Sequence, residues 1–241
     1  MHIRARIVAA LISAALVVLA NPAFAQQVPT ATWGNFYAGL SGGGVITEDV
    51  NISATGTVGG VASNASGKIS YKNAAAITGL AGYHFNDYVA GEAELGYASV
   101  DYDKISGSGT VGAVTFSGTA TLNGHTDVVM GVANAIVTPL GRSRFSPYVG
   151  AGLGFANLDS HLNSVSAAGV TQTVNASESE TDFAFDVLAG FDYAVTDNLL
   201  LGGRYRYLWI NTSSSATSGG LTTKSGDTSA HVITANVTWR F

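Results

Sequence analysis

Cysteine is absent from the 241 residues, and that absence removes several chemistries at once. No disulfide can staple the fold, no thiolate can ligate a metal or act as a nucleophile, and no thioacylated cysteine can make the chain a lipoprotein. Charge is scarce as well. Asp, Glu, Lys and Arg together make up 11% of residues, against roughly 25% in an ordinary soluble domain. Mean hydropathy is +0.26, yet beyond residue 25 no apolar run reaches the ~20 residues that a spanning helix needs. High hydropathy without such a run fits a transmembrane barrel, in which lipid-facing and lumen-facing residues alternate. The length suits one all-β domain better than two packed domains. The 30 glycines let strands curve and backbones approach closely inside a narrow barrel.

Residues 1–25 have the three parts of a cleavable export signal. Arg4 and Arg6 give the positive start, residues 7–20 form an apolar core, and Ala23-Phe24-Ala25 is a small-x-small cleavage site at Ala23 and Ala25. The core is too short for a membrane anchor. The expected division is therefore a signal peptide over residues 1–25 and a barrel over residues 26–241. Taking Arg4 and Arg6 from the 11 basic residues leaves 9 against 16 acidic ones, a net charge of −7. That balance excludes a basic nucleic-acid-binding face.

The clearest pattern lies at the end of the chain. Ile233, Ala235, Val237, Trp239 and Phe241 fall on one side of a two-residue period, and Val232, Thr234, Asn236, Thr238 and Arg240 on the other. Trp239 and Phe241 on the apolar side suit the headgroup level of a membrane, where aromatic rings form a girdle. Seven earlier segments follow the same rule, except that residues 128–132 of the fourth are apolar on both faces. They are predicted at residues 33–47, 69–85, 88–102, 122–137, 145–161, 180–195 and 199–211. Short turns centre near Asn86, Gly141 and Asp197. Between them lie four longer Gly/Ser/Thr-rich stretches: residues 103–121, 162–179 and 212–226 read as mobile loops, and residues 48–68 as a loop or a mobile strand extension. An even strand count with short turns at one end and long loops at the other predicts an eight-stranded antiparallel up-and-down transmembrane β-barrel, with both termini on the periplasmic side.

The early aromatic strand Trp33-Gly34-Asn35-Phe36-Tyr37-Ala38-Gly39 and the strand Pro147-Tyr148-Val149-Gly150-Ala151-Gly152-Leu153-Gly154 carry a family likeness. So do Gly202-Gly203-Arg204-Tyr205-Arg206-Tyr207 and the terminal Trp239-Arg240-Phe241. The chain resembles the small alphaproteobacterial outer-membrane barrels of the porin-family or surface-antigen type, with an OmpA-like and opacity-protein-like barrel. The resemblance implies residence in the outer membrane among lipid and lipopolysaccharide. It implies delivery by the barrel-assembly machinery through a Trp239/Phe241 terminal signal. It also implies surface loops that contact a host or extracellular ligand.

The inward faces carry one pointed constellation: Glu92, Glu94, Asp186 and Asp192 against Arg204, Arg206 and Arg240. An eight-stranded barrel is just wide enough for side chains to fill it. A charge-paired plug is therefore favoured over an ion path, and Asp186 or Asp192 should reach Arg204 or Arg206 across one hairpin. No histidine set has metal-ligand spacing and no cofactor is expected. The run Ser41-Gly42-Gly43-Gly44 lacks the Lys-Ser/Thr of a phosphate loop. The expected function is a non-enzymatic structural barrel with antigen- or adhesion-type loops. A small-solute porin with a conducting lumen is the alternative, and a lipid-modifying hydrolase using Ser160 and His161 is a remoter one.

Overall fold

A computed structural model of the protein describes residues 34–218 and 220–241. The export segment, with Ala23 and Ala25, and Trp33 lie outside the described residues. Eight strands form a closed ring: β1 (Phe36–Thr47), β4 (Ala74–His84), β5 (Val89–Val111), β6 (Val114–Val137), β7 (Phe145–Ala167), β8 (Val170–Ala194), β9 (Leu199–Ile210) and β12 (Thr228–Arg240). Neighbours in that order are antiparallel, and β12 returns to β1 with Tyr37 opposite Arg240 and Thr47 opposite Ala230. Closure removes the free edges that an open sheet would present to lipid. Among the described residues no helix is long and apolar enough to cross a membrane.

The four Gly/Ser/Thr-rich stretches are mostly strand, which corrects the loop reading of residues 103–121, 162–179 and 212–226 and, for residues 48–68, favours the strand extension over the loop. Residues 48–68 and 212–226 hold two further hairpins, β2 (Val50–Val58) with β3 (Val61–Tyr71) and β10 (Ser214–Ser218) with β11 (Leu221–Ser225). The other two stretches are simply the upper halves of β5, β6, β7 and β8. β11 also pairs with β2, and β3 with the upper part of β5, so the sheet continues well beyond the ring. The physical reason is that Thr, Val and Ile among the small residues favour extended backbone. The glycines supply the turns. Gly59 and Gly60 have φ of 58° and 80°, and Ala168 and Gly169 have 50° and 80°, the pair of left-handed residues that a type I′ hairpin needs.

At the opposite end the turns are short and pinned by polar side chains. Asn86 Oδ1 accepts from the backbone N–H groups of Tyr88 and Val89, both at 2.8 Å. Arg142 Nε donates to Asp87 at 2.9 Å and so links two neighbouring turns.

The side chains sort as the alternation requires. Phe36, Leu40, Ile77, Leu95, Val129, Leu153, Phe155, Ile233 and Val237 stand on the outer wall, while Tyr37, Thr78, Glu92, Glu94, Asn134, Tyr148, Arg204 and Arg206 are buried inside. In the short-turn half of the barrel, Tyr37, Leu80, Ala90, Ile136, Tyr148 and Leu188 pack as an apolar cluster. Two inward tyrosines fit because each lies over a glycine on the paired strand. A Cβ on Gly82 would come within 2.2 Å of the Tyr37 ring, and one on Gly190 within 2.6 Å of the Tyr148 ring.

Candidate functional site

Interleaved with that apolar cluster, a buried ion network crosses the lumen, with Leu80 opposite Glu94 and Leu188 opposite Arg206. β5 contributes Glu92 and Glu94, which alternation places on one face. β9 contributes Arg204 and Arg206 from the far wall, and β8 contributes Asp186. Arg204 donates to Glu92 and Glu94, each at 3.0 Å, and through Nε to the Tyr148 hydroxyl at 3.1 Å. The Tyr37 hydroxyl donates to Glu92 at 3.0 Å. Arg206 binds both oxygens of Glu94, and its Nε lies 2.9 Å from Asp186 Oδ2. These groups are sealed from solvent: Asp186 is 0% exposed, Arg206 2% and Glu94 3%. Two guanidiniums thus serve three carboxylates across the full width of the barrel. The bidentate fork of Arg206 on Glu94 braces β9 against β5 across the lumen.

The structure brings five of the seven charges named from the sequence into this network. Asp186 reaches Arg206 across the β8–β9 hairpin, as expected. Asp192 lies within the field of Arg204 and Arg240, but among the described residues it forms no ion pair with Arg204 or Arg206. It lies nearer the short-turn end and accepts a hydrogen bond from Asn236 Nδ2 at 2.8 Å. Arg240 is buried at the base of β12 beside Tyr37 on β1, and its backbone carbonyl accepts from Asn198 Nδ2 at 2.9 Å. Trp239 and Phe241 are exposed on the outer wall.

Sequence reasoning missed the tyrosine donors. Tyr37 and Tyr148 were legible as inward residues, and their spacing opposite Gly82 and Gly190 was the available signal. It also missed the cavity above the network. There the lumen opens into a volume of about 450 Å³ whose lining includes Val45, Ala98, Met130, Leu208 and Ile210. Tyr71 and Tyr102 stand on its rim with ring centroids 5.5 Å apart. Burial pushes the Tyr71 phenol well above its ordinary pKa, and Tyr102 beside it adds to the effect, so the hydroxyl stays neutral at any physiological pH.

Ser160 and His161 are not brought together. Successive residues on a strand point to opposite faces. Ser160 shares a hydrogen bond with Thr126 at 2.9 Å, while the His161 ring lies 5.2 Å from that of His125. The segment Ser41-Gly42-Gly43-Gly44 is ordinary β1 strand.

Comparison with known proteins agrees with this architecture. The sequence model of the family described as outer membrane protein beta-barrel domain matches residues 11–241. A 65-residue stretch is 35% identical to outer membrane protein PagN of Salmonella typhimurium, covering 27% of this chain and 26% of that protein. Among solved structures, outer membrane protein OprG from Pseudomonas aeruginosa superposes with a TM-score of 0.51 at 14% identity, over 86% of this chain and 96% of its own. The outer membrane protease OmpT from Escherichia coli does so with a TM-score of 0.51 at 12% identity, over 89% and 99%. At such identities the two structures speak for the fold alone. With a closed ring, an apolar outer wall and a family match over nearly its whole length, the chain belongs to the outer membrane protein β-barrel domain family and resides in the outer membrane.

Proposed function

We propose that this barrel is a closed, non-enzymatic element of the outer membrane that supports the envelope and presents its long hairpins for antigen- or adhesion-type contacts. The observation that carries the reading is the buried network of Glu92, Glu94, Asp186, Arg204 and Arg206 packed among Tyr37, Leu80, Ile136, Tyr148 and Leu188. Together these side chains cross the lumen from β5 to β9, so a hydrated ion would have to separate buried charge partners, which costs several kcal/mol, to pass. Opposed to a hydrolase is the placement of Ser160 and His161 on opposite faces of β7. The long hairpins are assigned to the outside of the cell and the short turns to the periplasm, following the usual asymmetry of such barrels. There the hairpins would meet lipopolysaccharide and a host or extracellular ligand. Purified protein in planar bilayers should show no unit conductance above that of empty lipid. Reproducible steps would replace this reading with a small-solute porin.

Residues 1–25 act in this reading as the export signal cleaved after Ala25, and Trp239 with Phe241 as the signal for the assembly machinery. A Phe241→Ala variant isolated from outer membranes is expected to start at Gln26 and to show a smaller heat-modifiable fraction than the parent. An unchanged fraction would remove the terminal signal, and a start at Met1 would remove the export segment.

A further inference from the structure

We propose that the lumen above the plug is a binding cup for an organic cation with a small apolar body, an alkyl- or arylammonium. The inner wall changes side-chain size along the barrel axis. At plug height the inward residues include Tyr37, Tyr148, Arg204 and Arg206. Further from the short turns they include Ala76, Gly96, Ala98 and Ala230. Eight strands fix the circumference, so exchanging arginine and tyrosine for alanine and glycine leaves the void of about 450 Å³. Across it two apolar clusters remain separate. Val45, Ala230 and Val232 stand on the β1/β12 wall, and Met130, Leu208 and Ile210 on the β6/β9 wall. A concavity of this size with apolar walls and a few polar groups has the build of a small-molecule site.

The polar groups choose the sign of the ligand. Among the described residues lining the cup there is no Lys, Arg or His, and its charges are Glu178, Glu180 and Asp182, all on one face of β8. The pairing of β8 with β9 ends at Ala184 and Ile210, so Glu178 and Glu180 also protect a strand edge. Edge protection does not account for Asp182. Its Oδ2 is enclosed by protein and has no hydrogen-bond partner, an acceptor left waiting for a donor or a cation. Tyr71 and Tyr102 share the rim, and Tyr102 is held by Thr126 at 2.8 Å. A carboxylate with aromatic residues in the same cavity is a common setting for an ammonium group. An anion would meet three carboxylates, and a neutral apolar molecule would leave Asp182 unpaired. The plug forms the floor, so the ligand enters and leaves through the long-hairpin end and is held rather than passed. Titration reads the cup and conductance reads the plug, so either reading can fail alone.

The test is calorimetric titration of the full barrel in zwitterionic lipid nanodiscs, with empty nanodiscs subtracted. The probes are benzyltrimethylammonium, benzyl alcohol and benzoate. Saturable binding of benzyltrimethylammonium is expected, about tenfold weaker binding of the alcohol, and none of benzoate. Asp182→Asn should bring the cation down to the level of the alcohol. Ala76→Leu and Ala98→Leu, shown to be folded by heat modifiability, should abolish binding by filling the void. The proposal is overturned if the cation gives no saturable heat, if either rival binds as tightly, or if the folded leucine variants bind as the parent does. Should neither leucine variant fold, the three probes on the parent protein and Asp182→Asn still decide it.

Discussion

Glu94→Gln is expected to destabilise the folded barrel by about 3–5 kcal/mol, the usual effect of stranding a buried ionic partner. Glu94 is the hinge of the network: both of its oxygens are bound by Arg206, and one also accepts from Arg204. Glutamine keeps the volume but removes the charge. It also turns an amide N–H₂ toward two guanidiniums that cannot give up a proton. The measurement is the urea midpoint at which refolded protein in vesicles loses its heat-modifiable band. A shift worth under about 1 kcal/mol would mean that water reaches this layer and screens it, as at a protein surface. A triple replacement, Glu94→Met with Arg206→Leu and Asp186→Asn, separates pair attraction from the penalty of a stranded charge. Removing the linked charges together should recover most of the loss, because buried ion pairs replaced by packed apolar groups are often neutral in stability.

How much of this was legible in the sequence depends on distance along the chain. The outer and inner faces follow from a local period of two, so Ile233, Val237 and Trp239 were assigned outward and Glu92, Glu94, Arg204 and Arg206 inward without knowledge of the fold. Which charges meet is a different matter. Glu92 and Arg204 are 112 positions apart, and their encounter is set by the tilt and stagger with which β12 closes on β1. A hairpin neighbour such as Asp186 with Arg206 could be named. Asp192 was named for the same reach, and its hydrogen bond comes instead from Asn236 on β12. The long hairpins were read as loops, or left open over residues 48–68, since Gly, Ser and Thr carry a turn signal in composition, while Thr57, Val61, Thr110 and Val114 carry a strand signal in position. The cup was illegible for a subtler reason. It is made by what Ala76, Ala98 and Ala230 fail to fill, and a void appears only when the inner residues are grouped by height along the axis.

The membrane band can be marked out by one pair of substitutions. Leu153 on β7 and Val170 at the start of β8 are both apolar and strongly exposed, at 57% and 71%, so a measure of exposure alone treats them alike. Their levels differ. Leu153 lies between the inward Gly152 and Gly154, level with the Asp186 layer, since Gly152 is opposite Asp186. Val170 follows the tight turn at Ala168 and Gly169, at the far tip of a hairpin. Leu153→Arg is therefore expected to destabilise the vesicle-inserted barrel by about 2–4 kcal/mol, the effect of an arginine facing lipid near the midplane. Val170→Arg at a water-facing tip should stay within about 0.5 kcal/mol. Guanidinium unfolding of both variants in vesicles gives the comparison. Equal effects would mean that the apolar wall around Leu153 does not face hydrocarbon, and the wall would then need a protein partner to cover it. The predicted asymmetry, in contrast, locates the bilayer around the plug and leaves the long hairpins, with the mouth of the cup, in water.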